Sequence, residues 1–179
     1  ASDVYKRQIR AATRVRSAEN PGFLAWLEST NADIVCMQEV RATPAQTADA
    51  LAPALVDNGG CWHLCMQEAA AKGRAGVGIL SRQAPLAVRT GIDVEEFARA
   101  GRYIEADFAV DGKLTGASEG DVLTVASLYL PSGEVDTPRQ DEKYRFMEGF
   151  SAFLQQRATL VAAGSAPQTL SLIHISEPT

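Results

Sequence analysis

Apolar residues occur along this chain in short runs that end at polar or turn-forming residues. Runs of this kind predict buried strands, and they cover residues 33–38, 61–67, 77–81 and 122–130, with a further extended piece at 85–91. Residues 102–110 alternate instead. Tyr103, Glu105 and Asp107 share one side and apolar residues the other, which predicts a half-buried strand.

Helical spacing of apolar residues marks two segments in the first third of the chain. The first predicted helix has Asn20 as its N-cap and Pro21 at its first helical position, where a proline is tolerated because no N–H donor is needed. The second begins at Pro44 and stops before the Asn-Gly-Gly sequence at 58–60, with Pro53 marking a kink or an end.

Two further helices are predicted, a short one over 94–101 and a long one over 136–156. The buried stripe of the long helix is predicted to contain Tyr144, Met147, Phe150 and Phe153 or Leu154. Strands in neighbouring pairs with helices between them predict a single α/β domain, in which mixed sheets are covered by helices.

Composition and charge narrow the class of protein. The chain has 179 residues, of which 46% are hydrophobic, and a formal net charge of −5. That size supports one domain with its own core, and the acidic balance argues against a protein that holds DNA by charge alone. It leaves room for an enzyme that binds a divalent cation. No apolar run is long enough to cross a bilayer and no signal peptide is evident, so we expect a cytoplasmic protein.

The three cysteines, Cys36, Cys61 and Cys65, lie in apolar segments and are an odd number. We interpret them as small buried side chains in a reducing compartment rather than as a disulfide framework. Cys61 and Cys65 flank His63, which raises the alternative of a zinc site. That alternative is weak because no second pair of ligands follows at a suitable spacing.

The two ends of the chain have no pattern in common with their neighbours. Residues 1–8 and 170–179 both match translations of a transposase sequencing adapter, read in opposite orientations. We expect these ends to be non-native and residues 9–169 to be the N-terminal part of a longer domain. On this interpretation His174 has no catalytic role, and the ends either pair as makeshift strands or stay apart from the fold.

The apolar run 34–37 ends in Gln38 and Glu39, so a core strand delivers a carboxylate at its tip. A solvated strand end explains this as readily as a metal ligand does, because glutamate is common at surfaces. The residues near Glu39 do not decide between the two readings.

Five segments in a fixed order do favour one of them: "ADIVCMQEVRA", "AAAKGRAGVGILSR", "GRYIEADF", "LTVASLYLPSGE" and "KYRFMEGFSAFL". Together they resemble exodeoxyribonuclease III and its apurinic/apyrimidinic endonuclease relatives, within the endonuclease/exonuclease/phosphatase superfamily. The resemblance runs from about Ile9 to Leu154. It implies a sandwich of two β-sheets flanked by helices, with the active site at one end of the strands.

The resemblance also implies roles for particular residues. Glu39 matches the family's metal-binding glutamate, so Mg²⁺ is the expected ion, with Mn²⁺ as a substitute. Gln38 either supports that carboxylate or is structural. Tyr129 matches the active-site tyrosine, whose phenol can donate a hydrogen bond to the scissile phosphate; the alternative is a core tyrosine.

Basic residues of the matching segments are candidates for contacts to DNA phosphates. For Arg102 the match to the family is direct. For Lys72 and Arg74 a solvated loop is nearly as good an explanation.

The sequence also departs from the family pattern. A Gly-Asp-x-Asn motif is expected soon after Gln156 and an Asp-His pair later, and neither is present in residues 157–179. The strand that should open the domain, with its Asn-containing motif, is replaced by residues 1–8. We therefore expect the chain to carry about half of the site, to be inactive by itself and to fold poorly.

Three functions remain in competition at this point. The first is a Mg²⁺-dependent, monomeric DNA-repair nuclease that acts on double-stranded DNA at abasic sites or 3′ ends. The second is a phosphatase or phosphodiesterase of the same superfamily, because fold does not fix substrate. The third is a non-catalytic DNA-binding module.

Overall fold

The computed structural model describes residues 22–110 and 120–163, together with the backbone of 169–175. In chain order the helices and strands are α1 (Phe23–Ser29), β1 (Ile34–Met37), α2 (Pro44–Leu51), β2 (His63–Gln67), β3 (Val77–Ser81), β4 (Ala87–Thr90), β5 (Tyr103–Ala109), β6 (Val122–Tyr129), α3 (Pro138–Ala162) and β7 (Thr169–Ile175). No helix of the described residues has the length and apolar character that crossing a membrane requires.

The strands form two sheets. The first has the order β1-β3-β2 and the second the order β4-β5-β6-β7. Neighbouring strands are antiparallel except β6 and β7, which are parallel. Only the second sheet is therefore mixed among the described strands, whereas the sequence predicted mixed sheets in general. The predicted class, an α/β two-sheet sandwich flanked by helices, is confirmed.

Three apolar layers hold the sheets and helices together. The layer between the two sheets is formed by Ala75, Val77, Ile79, Ile104, Ala106, Phe108, Val125 and Tyr129. Helix α3 covers the outer face of the second sheet through Phe146 and Phe153, and α1 covers the first sheet through Leu27. The order of layers is therefore helix, sheet, sheet, helix. Burial on both faces explains the near-continuous apolar runs of the central strands β3 and β6.

The helix starts and ends follow local chemistry. Thr43 caps α2 in a reciprocal capping box with Gln46, and Pro44 occupies the first turn as predicted. The helix ends at Leu51 and continues as a 3-10 turn that contains Pro53. Helix α1 begins at Phe23 with Gly22 as its N-cap, so it starts two residues later than predicted; the predicted N-cap, Asn20, and first helical residue, Pro21, lie outside the described residues.

Two helix predictions are wrong in detail. The segment 94–101 forms only a 3-10 turn, Glu95–Phe97. In α3, Tyr144 and Met147 are 60% and 46% exposed, and Phe146 is buried instead. The ring of Phe97 meets that of Phe146 edge-on, with 5.1 Å between their centroids. The buried stripe of α3 therefore begins at Phe146 and not at Tyr144 or Met147, because Phe97 of the 3-10 turn packs against Phe146.

The three cysteines are free thiols. Cys36 and Cys65 are half-buried beside the core between the sheets, and burial raises the pKa of Cys36 to about 11. Cys61 is exposed, so its prediction as a buried side chain is wrong. It stands at the turn before β2, where Arg82 reaches its sulfur.

Strand β5 is not half-buried, as predicted, but buried on both faces. Glu105 is 1% and Asp107 is 7% exposed. Arg89 of β4 binds both carboxylates, with 2.6 Å from Nη2 to an oxygen of Asp107, and Arg157 of α3 reaches Glu105 at 3.2 Å. The phenol of Tyr103 donates to Glu105 at 2.6 Å. Two arginines thus balance two carboxylates beneath α3, which is the condition for burying charge.

Hydrogen bonds within this cluster shift the ionisation of its members. Burial opposes the charged form of Asp107, but hydrogen bonds from Arg89 and Thr124 outweigh it and lower the pKa of Asp107 below its ordinary value. Burial raises the pKa of Tyr103, and its bond to Glu105 raises it further.

The backbone of 169–175 runs parallel to β6, from Thr169 opposite Leu123 to Ile175 opposite Tyr129. Of the two alternatives stated for the C-terminal end, the structure therefore has the one in which it pairs as a strand. Main-chain groups make the bonds of a sheet, so a β-prone segment can complete an edge whatever its origin. Residues 1–8 lie outside the described part of the chain, and the adapter origin of both ends stays a prediction.

Candidate active site

The segment after β1 has an unusual backbone. Glu39 and Arg41 have φ angles of 54° and 51°, in the left-handed region that residues with a side chain rarely adopt. The amide of Val40 donates to the carbonyl of Gly76 at 3.1 Å, and that of Arg41 to the carbonyl of Ala75 at 2.9 Å. Hydrogen bonds to the loop before β3 therefore hold this strained conformation. Strained backbone of this kind often occurs at functional sites.

The predicted metal ligand, Glu39, is accessible to an ion. Its carboxylate pairs with the guanidinium of Arg41, and the two side chains are 35% and 41% exposed. No group of three or more His, Cys, Asp or Glu residues that could hold a metal occurs among the described residues. Mg²⁺ is nevertheless often bound by one or two carboxylates, with water and substrate phosphate completing its shell. Glu39 fits such a site.

A buried serine joins the two sheets beside this carboxylate. The hydroxyl of Ser127 in β6 donates to the carbonyl of Met37 and accepts from the side-chain amide of Gln38, both at 3.0 Å. Ser127 is fully buried. Glu39 pairs with Arg41, and Arg41 lines one cavity with Tyr129, so Glu39 and Tyr129 are linked through this arginine. Gln38 contributes by fixing the end of β1 to the second sheet.

Tyr129 is held firmly at the end of β6. It is 4% exposed and belongs to the core between the sheets. The guanidinium carbon of Arg102 stands 5.5 Å from the centre of its ring, within range of a cation–π contact. Arg102 also donates to the carbonyl of Tyr129 at 3.3 Å, and the amide of Tyr129 donates to the carbonyl of Arg102 at 2.8 Å.

Tyr129 and Arg102 line an open cavity of about 320 Å³. Three further arginines line it, Arg41, Arg74 and Arg139, with Glu142 as the acidic member. A planar guanidinium group can donate two hydrogen bonds to the oxygens of one phosphate. Several guanidinium groups at one cavity attract an anion. The arrangement therefore suits a phosphate group placed beside Tyr129.

The structure separates one predicted residue from the others. Lys72 is exposed and lines a neighbouring cavity of about 210 Å³, which shares Arg41 and Arg74 with the first. A larger cavity of about 660 Å³ lies between α2 and β2. It has no arginine among its lining residues, so it is not suited to bind a phosphate.

Sequence reasoning missed Arg41, Arg139 and Ser127. Arg41 stands two residues after Glu39, but both have left-handed φ angles, so the alternation of an extended strand could not have indicated that their side chains meet. Arg139 lies in the first turn of α3, far from the matching segments of the strands. The bridge made by Ser127 joins residues that are 89 and 90 positions apart, so no local pattern indicates it.

These features define a class: an α/β protein in which two facing sheets present a carboxylate beside an arginine-lined cavity. The chain belongs to the Endonuclease/Exonuclease/phosphatase family, whose model matches residues 15–167. The family resemblance found in the sequence is thereby confirmed.

Two curated relatives are similar in sequence. An exodeoxyribonuclease of Bacillus subtilis is 26% identical over 159 residues, which are 87% of this chain and 55% of the relative. A DNA-(apurinic or apyrimidinic site) endonuclease of Dictyostelium discoideum is 27% identical over 145 residues, which are 79% of this chain and 35% of the relative. The chain thus spans about half of one relative and about a third of the other.

Solved structures share the fold. An AP endonuclease from Archaeoglobus fulgidus matches with a TM-score of 0.54 and 25% identity, over 74% of this chain and 44% of that one. A 3′-5′ exonuclease from Neisseria meningitidis matches with a TM-score of 0.60 and 23% identity, over 83% of this chain and 48% of that one. The second likeness is one of fold alone.

Proposed function

We propose that the protein to which this chain belongs is a Mg²⁺-dependent nuclease that hydrolyses DNA phosphodiester bonds at abasic sites or 3′ ends. The observation that carries the proposal is the ion pair between Glu39 and Arg41, since Arg41 also lines the arginine-rich cavity that contains Tyr129. The names of the two curated relatives support DNA as the substrate.

Each side chain has a distinct role in this proposal. Glu39 holds the cation, which when bound polarises the phosphate and stabilises the leaving oxygen. Arg102 and Arg74 position the phosphate through charge-assisted hydrogen bonds. Tyr129 donates a hydrogen bond to a phosphate oxygen as negative charge grows there. Lys72, in the neighbouring cavity, suits a phosphate further along the DNA backbone.

The step that activates water needs other residues. Family members are expected to use an Asp of a Gly-Asp-x-Asn motif and an Asp-His pair, and this sequence contains neither motif. We therefore propose that the chain holds the metal and the phosphate but does not cleave DNA by itself. The free thiols are consistent with a cytoplasmic enzyme, which we propose to be monomeric.

The test compares the full-length parent enzyme with this 179-residue chain. Cleavage of a duplex with one abasic site and hydrolysis of inositol phosphates are measured with Mg²⁺. We expect the parent to cleave the duplex and this chain to be inactive. In the parent, Glu39→Gln should lower turnover at least about tenfold, because an amide is a poor ligand for a hard dication.

Glu28→Gln is the matched control, since Glu28 is an exposed carboxylate on α1 that lines none of the cavities described above. A parent that prefers inositol phosphates would replace the nuclease by a phosphatase of the same family. A Glu39→Gln variant as active as Glu28→Gln would remove Glu39 from the site.

A further inference from the structure

Arg41 lies between two candidate binding sites. Its guanidinium pairs with the carboxylate of Glu39, and the same residue lines the cavity of Arg74, Arg102 and Tyr129. Neither the family match nor the sequence assigns a role to Arg41. Arg41 is therefore positioned to interact with either the candidate metal ligand or a phosphate in the cavity.

The backbone keeps Arg41 between these two sites. Both Glu39 and Arg41 have positive φ angles, and hydrogen bonds to the carbonyls of Ala75 and Gly76 fix the segment. The side chain of Arg41 is 41% exposed, so it has room to turn without disturbing the core. A guanidinium carries five N–H donors and does not lose its charge, so Arg41 is available to another anion if its carboxylate is taken.

We propose that Arg41 is a phosphate-binding residue that Glu39 holds until a divalent cation takes the carboxylate. The cation and the guanidinium compete for Glu39, because each needs its negative charge. Once the cation is bound, the two positive charges repel and Arg41 turns to a phosphate oxygen in the cavity beside Tyr129. Metal binding and DNA binding are then coupled through one ion pair. This rests on the proposed function, since it takes Glu39 as the metal ligand.

The first experiment measures cation affinity without DNA and without catalysis. Mn²⁺ is titrated into the 179-residue chain, and the free ion is followed by electron paramagnetic resonance. Exposed ion pairs are modest in strength, so removing the competitor by Arg41→Gln should tighten Mn²⁺ binding about threefold. Arg41→Lys, which keeps the charge, should bind Mn²⁺ with nearly the affinity of the unchanged chain.

A matched pair elsewhere in the chain controls for the loss of a positive charge. Arg145 and Glu96 form an exposed ion pair of similar accessibility, with 52% and 46% of the side chains exposed. Neither residue lines the cavities described above. Arg145→Gln should leave the affinity for Mn²⁺ unchanged.

The second experiment is a double-mutant cycle on DNA binding in EDTA. A fluorescent duplex with a tetrahydrofuran abasic analogue is the probe, and its anisotropy gives the affinity. Glu39→Gln releases Arg41 and should tighten binding about threefold. That gain should disappear when Arg41→Gln is also present. The corresponding cycle on Glu96 and Arg145 should be additive.

The outcomes separate the two proposals. Equal Mn²⁺ affinity in the unchanged chain and in Glu39→Gln would overturn the metal site, and with it the proposed function and this inference. Loss of Mn²⁺ binding in Glu39→Gln, with no effect of Arg41→Gln and an additive cycle, would keep the metal site and overturn the role of Arg41. Circular dichroism of each variant verifies that the fold is retained, and Arg41→Lys supplies the comparison if Arg41→Gln unfolds.

Discussion

Replacing Ser127 by alanine tests whether the bridge between the two sheets holds the candidate site together. The hydroxyl of Ser127 is fully buried and bonds both Met37 and Gln38 of the opposite sheet. Alanine keeps the backbone and the Cβ atom and removes one oxygen. The change therefore deletes two hydrogen bonds and leaves a cavity too small to matter.

The expected loss follows from those two bonds. A typical intramolecular hydrogen bond contributes about 1 kcal/mol net, and a buried group left without a partner costs about 1–3 kcal/mol. The amide of Gln38 is only half-buried and can turn to water, so it adds little. We predict that Ser127→Ala lowers the free energy of unfolding by about 2 kcal/mol. For a domain of this size that lowers Tm by roughly 4–8 °C.

Urea unfolding followed by circular dichroism measures this loss. Ser29→Ala is the matched control, because the hydroxyl of Ser29 also donates to a backbone carbonyl, that of Trp26 at 3.1 Å, but is exposed. We expect the control to lose less than about 0.5 kcal/mol. If Ser127→Ala loses no more than the control, the bridge does not hold the two sheets and the site needs another explanation.

Two further predictions concern stability alone. Gly101→Ala should cost at least about 2 kcal/mol in urea unfolding, because φ is +65° there and a Cβ would approach a backbone nitrogen to 2.5 Å; Gly120→Ala, with φ of +95° and open space around it, should cost clearly less, and equal losses would exclude the steric cause. The lowered pKa of Asp107, which Arg89 and Thr124 maintain against burial, stabilises the fold above the ordinary pKa of 3.8, and this stability is lost as the pH falls through the folded-state value. The stability advantage of the unchanged chain over Asp107→Asn should accordingly be constant above about pH 5 and shrink as the pH falls below 3.8, and a difference that stays constant through that fall would contradict it.

Much of the fold could be predicted from the sequence because the central strands β3 and β6 are buried on both faces and therefore form apolar runs. The apolar run at 77–81 gives β3 with its predicted bounds, and it is the central strand of its sheet. The family could be predicted because five segments in order constrain one another, although each is weak. Glu39 could be placed at a strand end because the apolar run 34–37 stops just before it. Its role remains a proposal.

The cluster on β5 could not be predicted. Alternation of Tyr103, Glu105 and Asp107 with apolar residues is the pattern of a strand with one wet face. The arginines that make burial possible come from β4 and α3, and Arg157 is 52 residues along the chain from Glu105. A local pattern records that side chains are polar, but not whether partners arrive from elsewhere to bury them.

The net charge of the chain does not predict the charge at the candidate site. The net charge of −5 argued against a protein that binds DNA by charge alone, and it is a sum over the whole chain. Exposed charges are largely screened beyond about 10 Å at moderate salt, so a phosphate at the cavity responds to the groups around it. Four arginines, Arg41, Arg74, Arg102 and Arg139, line the cavity against Glu142, while Glu39 pairs with Arg41 and Glu134 with Arg139. An acidic chain can therefore present a cationic site, and an added cation at Glu39 would strengthen it, both by its own charge and by the release of Arg41.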